Sequence, residues 1–246
     1  MRAGSDTRIV HTPRPYAHTK ASEADAIGDI PSHWDVTKLG RIGHFFKGGG
    51  GTKQDESEHG VPCVRYGDLY TNHDYFIHDS RSRISNEVVA NYTSIRHGDV
   101  LFAGSGETID AIGKSAVNLI HGSAYAGGDV IIFRPTIDID LTFLGYATDC
   151  RAARHQKSRM GRGITVMHIY GDDLKNLAIA LPPLSEQAAI VRFLTLISRN
   201  MDRILQIERH ISLLEEYRER LISDVVTGRY DVRGLTSEVL GEGHEF

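Results

Sequence analysis

The sequence predicts an α+β protein, a mixed, loop-rich domain followed by a long C-terminal coiled-coil helix. Two observations carry this prediction. Between Trp34 and Pro183, short β-type runs alternate with clusters of Gly, Asn, Asp and Ser, as strands joined by tight turns do. From Ser185 to Gly228 nothing breaks a helix, and apolar residues recur at heptad spacing, so one face of that helix is built to be buried. Composition agrees with both. Of 246 residues, 40% are hydrophobic and 24% charged, which leaves enough for one sizeable core once a long helix is set aside.

Residues 1–30 contain Pro13, Pro15 and scattered polar residues without periodicity, and read as an extended arm that gains order only by lying on something. A domain over 31–183 follows. Its β-type runs include Val61 to Tyr66, Val100 to Phe102 and Val130 to Phe133, and one helix is expected from Leu141 to about Arg154, begun by Asp140. Gly48 to Gly51 form a four-glycine tract, which reads either as a flexible surface loop or as backbone that can approach a ligand closely. After Pro182-Pro183 the long helix spans 184–228, with Ser185 as N-cap and Glu186 in the first turn. At 1.5 Å per residue it would be roughly 60 Å long. Residues 229–246 are expected to form a flexible tail.

Counting sevens from Ile190 puts Ile190, Ile197, Ile204, Ile211, Arg218 and Val225 at position a of the heptad. Phe193, Asn200, Ile207, Leu214 and Leu221 fall at d. Nine of these eleven positions are apolar, and Leu194, Met201 and Ile222 widen the stripe, which marks a helix-pairing interface. A long helix packed along its own domain is the competing reading. It is weaker because a domain of about 150 residues is only some 35 to 40 Å across. Asn200 and Arg218 interrupt the seam, where buried polar residues fix register or partner choice at a cost in stability.

Charge and cysteine content narrow the function classes. The formal net charge of −4 excludes a protein that coats nucleic acid indiscriminately, though local basic patches remain open. Cys63 and Cys150 belong to no C-x-x-C pattern, which argues for a reducing compartment and against a disulfide framework or a cysteine-rich metal site. No signal peptide and no membrane span is expected, and the reading is of a cytoplasmic chain.

A self-sufficient active site is not expected either. Gly113-Lys114-Ser115 resembles the end of a phosphate-binding loop, but Thr108 stands where that pattern needs glycine. Gly104-Ser105-Gly106 suggests a nucleophile elbow, but Ala103 and Glu107 occupy its glycine positions. The thirteen histidines are scattered singly and form no H-E-x-x-H, so no metal site is assigned. No Asp/Asn-Pro-Pro-aromatic motif for amino-methylation of bases occurs.

What remains is a polar, basic surface. Arg151, Arg154, Lys157, Arg159 and Arg162 follow one another without an intervening acid, and are candidates for phosphate contact at a helix end and its following loop. A solvated basic face is the alternative. Arg65 and Tyr66, with Arg81 and Arg83 beyond them, have side-chain types suited to base edges, but a strand running into a surface loop looks the same. Lys47 and Lys53 flank the glycine tract and complete the DNA-binding candidates.

The stretch Leu181-Pro182-Pro183-Leu184-Ser185-Glu186-Gln187-Ala188-Ala189-Ile190-Val191, continuing to Leu221-Ile222-Ser223-Asp224-Val225-Val226-Thr227-Gly228, closely resembles the conserved-region helix of type I restriction-modification specificity subunits. Ile27 to Trp34, Val64 to Leu69 and Gly98 to Phe102 ahead of Ile112-Gly113-Lys114 resemble the target-recognition domain of the same family. The resemblance covers about residues 27–233. It implies a non-catalytic subunit that reads double-stranded DNA at a bipartite site and docks modification (methyltransferase) subunits. S-adenosylmethionine, ATP and Mg would then be cofactors of partner subunits and none would belong to this chain. A restriction subunit with translocase and nuclease activity is a further implied partner.

One departure from the family pattern stands out. A complete specificity subunit has two recognition domains alternating with two antiparallel helices, whereas this chain has one of each. The expectation is therefore a half-subunit that forms a homodimer through Ile190 to Val225, or the remnant of a split or truncated gene that needs a second specificity half. An antiparallel homodimer would read an interrupted palindrome, its half-sites at most roughly 18 base pairs apart. Two other readings compete: a coiled-coil adaptor whose globular domain binds protein, and a sequence-specific nuclease.

Overall fold

The computed structural model of the chain describes residues 14–227 and 229. Met1 to Pro13, Gly228 and 230–246 lie outside the described residues, and with them the start of the expected arm, the helix-ending glycine and nearly all of the tail. The chain forms two units, the first running to Arg192 and the second starting at Phe193.

At the centre of the first unit is a five-stranded sheet. Its order is β4 (Gly43–Lys47), β13 (Val130–Pro135), β9 (Val100–Ala103), β11 (Ser115–Asn118) and β6 (Tyr75–Ile77). Only the β11–β6 pair is parallel. A second sheet runs β7 (Arg83–Ile84), β5 (Glu56–Val64), β12 (Ala124–Ala126) and β8 (Thr93–Ile95). Three two-stranded pairs complete the β structure: β1 (Thr19–Ala21) with β2 (Asp29–Pro31), β3 (Asp35–Lys38) with β15 (Ala178–Leu181), and β10 (Ser105–Gly106) with β14 (Met167–His168).

The aliphatic runs of β9 and β13 do not alternate with polar residues because both faces of the central sheet are covered. Val100, Phe102, Val117, Ile131 and Phe133 point to one core, with Leu144, Ala153 and Ile169. Leu101, Ala103, Ala116, Val130 and Ile132 point to the other, with Val64, Leu69, Ile77 and Ile95. Period-two alternation thus sorts successive residues into two apolar layers. Each large side chain buried there stabilises the fold by about 1.5–3 kcal/mol.

Helices α1 (Leu39–Ile42), α2 (Tyr66–Thr71), α3 (Leu141–Asp149), α4 (Arg151–Met160) and α5 (Gly171–Leu174) pack around the sheets. Asp140 caps α3 as its sequence position suggests: Oδ1 accepts from the backbone N–H of Thr142 and Phe143 at 2.8 and 2.9 Å. The single helix expected from Leu141 to about Arg154 is instead two. Cys150 is extended at φ −65°, ψ 168°, and this break turns α4 back so that its side chains reach the end of α3. The run expected as strand from Val61 to Tyr66 stops at Val64, and Tyr66 begins α2.

Two further expectations are corrected. Part of the expected arm is folded: Thr19–Ala21 pairs with Asp29–Pro31 in a hairpin. The four-glycine tract is packed backbone, not a free loop. A Cβ at Gly48 would stand 1.8 Å from the carbonyl oxygen of Gly127, and Gly50 takes φ +73° against the ring of Tyr92. Only glycine allows that approach.

The last helix, α6 (Leu184–Val226), has 43 residues, about 65 Å at 1.5 Å per residue. The Pro183 carbonyl accepts from the N–H groups of Glu186 and Gln187, so the chain enters the helix at Pro183. Ser185 lies inside the first turn and is not the cap. Gln187 is buried, donating Nε2 to the Pro182 carbonyl and accepting from the N–H of Asp140, both at 2.9 Å. Ile190 lines an apolar cavity of about 270 Å³ with Trp34, Phe143 and Ile179, so the first seam position faces its own unit. In the second unit Ile204, Ile207, Ile211 and Leu214 are each more than half exposed. Among the described residues, no helix is long and apolar enough to cross a membrane.

Candidate nucleic-acid interface

Helix α4 places the basic segment. Its exposed residues are Arg151, Arg154, His155 and Arg159, which at 100° per residue fall within one side of the helix. Lys157 faces the other way. Its side chain has no solvent exposure, and Nζ donates to Asp149 Oδ1 at 2.7 Å, to the Thr148 carbonyl at 3.0 Å and to Ser115 Oγ at 3.3 Å. Burial pushes the Lys157 ammonium below its ordinary pKa, and the facing carboxylate opposes this. Lys157 is therefore removed from the phosphate-contacting candidates: its charge is consumed inside the fold by a buried carboxylate.

Arg154 also reaches Asp149, through Nε at 3.1 Å and Nη2 at 2.7 Å, with its side chain about half exposed. Arg151 and Arg159 form no ion pair among the described residues, so their charge is available to a partner. Arg162 follows α4, 71% exposed, with Nη2 2.8 Å from Asp173.

A cleft lies at the end of the sheet beside the glycine tract. Lys47, Phe46, Ser105, Asp129, His168 and Tyr170 line one part of it, about 340 Å³. Arg65, Tyr66 and Gly50 line the adjoining part, about 320 Å³. The two share Gly128 and Asp129. The structure thus brings together Lys47, Arg65 and Tyr66, which lie apart in sequence. Tyr66 is exposed, whereas Arg65 is largely held within the fold: it pairs with Glu56, donates to the Thr52 carbonyl at 3.2 Å, and its own N–H is capped by Asp68 at 2.9 Å. Lys53 opens a short 3-10 turn, Lys53–Asp55; its side chain lies outside the described residues.

Arg81 and Arg83 fall elsewhere, in a groove they share with Glu56, Glu58 and Asp68. Arg83 is engaged by Asp79 at 3.2 Å and the Gly60 carbonyl at 3.3 Å. Three carboxylates in one groove repel phosphate, so these two arginines are the least suited of the candidates to a DNA backbone.

Sequence reasoning missed Ser105 and His168 as members of the cleft. Strand pairing sets Ser105 opposite His168, and Ser105 Oγ lies 3.1 Å from His168 Nδ1. No carboxylate orients the imidazole among the described hydrogen bonds, so the pair lacks the third member of a hydrolase triad. Burial, with Asp149 nearby, pushes the Tyr70 hydroxyl up to about 12, and it donates to the Ser105 carbonyl at 3.1 Å. Among the described residues, no group of three or more His, Cys, Asp or Glu could hold a metal ion. The arrangement offers cations, aromatic faces and hydrogen-bonding groups, which is equipment for binding.

Comparison with known proteins agrees with the sequence resemblance. The curated relatives include a putative type I restriction enzyme MjaX specificity subunit from Methanocaldococcus jannaschii, 27% identical over 235 residues, covering 88% of this chain and 51% of that protein. The MjaVIII specificity subunit of the same organism is 23% identical, with the same two coverages. The chain thus spans about half the length of the curated relatives it matches. Among solved structures, a chain from work on complex assembly and conformational transition of the type I R-M system aligns over 79% of this chain and 45% of its own length, with TM-score 0.57 and 24% identity. The HsdS subunit from Thermoanaerobacter tengcongensis aligns over 72% and 40%, with TM-score 0.50 and 22% identity. These likenesses show a shared fold. Residues 31–212 match the type I restriction modification DNA specificity domain, and the chain belongs to that family.

Proposed function

We propose that this chain is the sequence-specific DNA-recognition subunit of a type I restriction-modification complex and performs no catalysis itself. It would direct adenine-methylating modification subunits, and a restriction subunit where one joins, to a bipartite site in double-stranded DNA. The observation that carries the reading is the family match over 31–212, a span that holds α4, the following loop and the cleft. Exposed Arg151 and Arg159 supply phosphate contacts, and Arg162, Lys47 and Tyr66 extend the surface towards base edges. S-adenosylmethionine, ATP and Mg belong to the partner subunits in this reading. Helix α6 pairs through Ile197 to Val225 with a second copy or with a second specificity half.

Fluorescence anisotropy of a labelled 40-base-pair duplex, titrated with the chain at rising salt, tests the DNA contact. Affinity should fall steeply with salt, as counterion release requires. An affinity indifferent to salt, or no binding with the modification subunits present, would favour a protein-binding adaptor.

A further inference from the structure

We propose that the loop between Arg162 and His168 is a base-reading finger whose tip, Ile164, contacts thymine methyl groups in the major groove; this deepens the DNA-recognition reading above. The loop is closed at its base. Arg162 N–H donates to the His168 carbonyl at 2.9 Å, and His168 N–H donates to the Arg162 carbonyl at 2.7 Å. Gly163 takes φ +143°, and a Cβ there would stand 2.0 Å from the Val166 carbonyl oxygen, so the turn closes tightly in a form that glycine permits.

The base is anchored to the core. Ile169, the residue after His168, is 1% exposed, and Gly161 sits so close to Ile109 and Ile112 that a Cβ would come within 2.8 and 2.9 Å of them. Against this rigid base Ile164 is fully exposed at 101%, and Val166 is 47% exposed. Ile164 gains nothing from packing within the fold, and Val166 is only half covered. Both are β-branched and stiff at χ1, so a contact would cost them little rotamer freedom.

Charge selects the partner. No Asp or Glu occurs in the sequence between Cys150 and Gly171; Arg162 at the base of the loop is paired with Asp173 at 2.8 Å, while Arg159 is exposed. An apolar tip beside Arg159, which forms no ion pair among the described residues, suits a polyanion that carries an apolar feature in a recess. The major groove, about 12 Å wide, admits a narrow loop and displays the thymine 5-methyl group, whereas the minor groove displays no such group.

The test uses the full chain with its modification subunits. Duplexes enriched from a random-core pool are prepared with thymine or with deoxyuridine, which lacks only the methyl, and binding is measured for the wild type, Ile164→Ala and Val166→Ala. The wild type should lose about three- to fivefold on methyl removal, while Ile164→Ala should bind both forms alike. Equal binding of the two forms by the wild type, or an undiminished loss in Ile164→Ala, would overturn the finger. Failure to enrich any duplex would overturn the DNA-recognition reading beneath it. An unchanged urea midpoint of Ile164→Ala separates lost contact from lost fold.

Discussion

Lys157 Nζ lies 2.7 Å from Asp149 Oδ1, and neither side chain is exposed to solvent. A basic residue in the middle of a basic segment is thereby a structural strut between α3 and α4, and the exposed charge is left to its neighbours. Removing Lys157 leaves the buried Asp149 carboxylate with Arg154 as its remaining cation and takes a donor from Oδ1. Lys157→Met should cost about 1–3 kcal/mol, read from the urea midpoint of the far-ultraviolet signal. Arg159→Ala should stay within about 0.5 kcal/mol yet weaken DNA binding. A loss under about 1 kcal/mol in Lys157→Met would contradict the strut.

Glu186 is the second anchor. Its carboxylate accepts from Trp34 Nε1 at 3.0 Å and Tyr16 OH at 3.0 Å, and lies 2.6 Å from His33 Nε2. The hydrogen bond from Trp34, then that from His33, holds the carboxyl below its ordinary 4.5. As pH falls, the unfolded chain takes up this proton before the folded one. The contribution to stability is therefore complete above about pH 4.5 and is lost as pH falls through the lower folded value. Trp34 is the only tryptophan, so its fluorescence should change below pH 4.5 and should lose that step in Glu186→Gln. A step above pH 4.5 would contradict the depressed carboxyl.

The exposed seam of α6 predicts association. Light scattering should give about twice 27.3 kDa for the chain, and Ile204→Glu with Ile211→Glu should dissociate it, since each would bury a charge against apolar residues. A monomer that pairs only when a second specificity half is added would identify the split-subunit form instead.

Much of the fold was legible because local chemistry and global packing agree. Val100–Phe102 and Val130–Phe133 read as strands since residues covered on both faces leave an unbroken aliphatic run, and Asp140 before Leu141 is a cap in sequence and in structure. The break at Cys150 was not legible, because no Gly or Pro marks it and the gain comes from Lys157 meeting Asp149. Charge alone could not separate inward Lys157 from outward Arg159. Burial is decided by packing across the chain, as with Ser105 and His168, 63 residues apart. The glycine tract read either as a free loop or as backbone open to close approach, and what approaches Gly48 is Gly127 of the same chain.

Mapping methylated adenines across the genome of cells that carry this chain with its modification subunits tests the central claim most directly. The account predicts one bipartite motif that disappears when the chain is deleted and is methylated less completely in Arg151→Ala with Arg159→Ala. A methylation pattern indifferent to the chain would contradict its role in recognition.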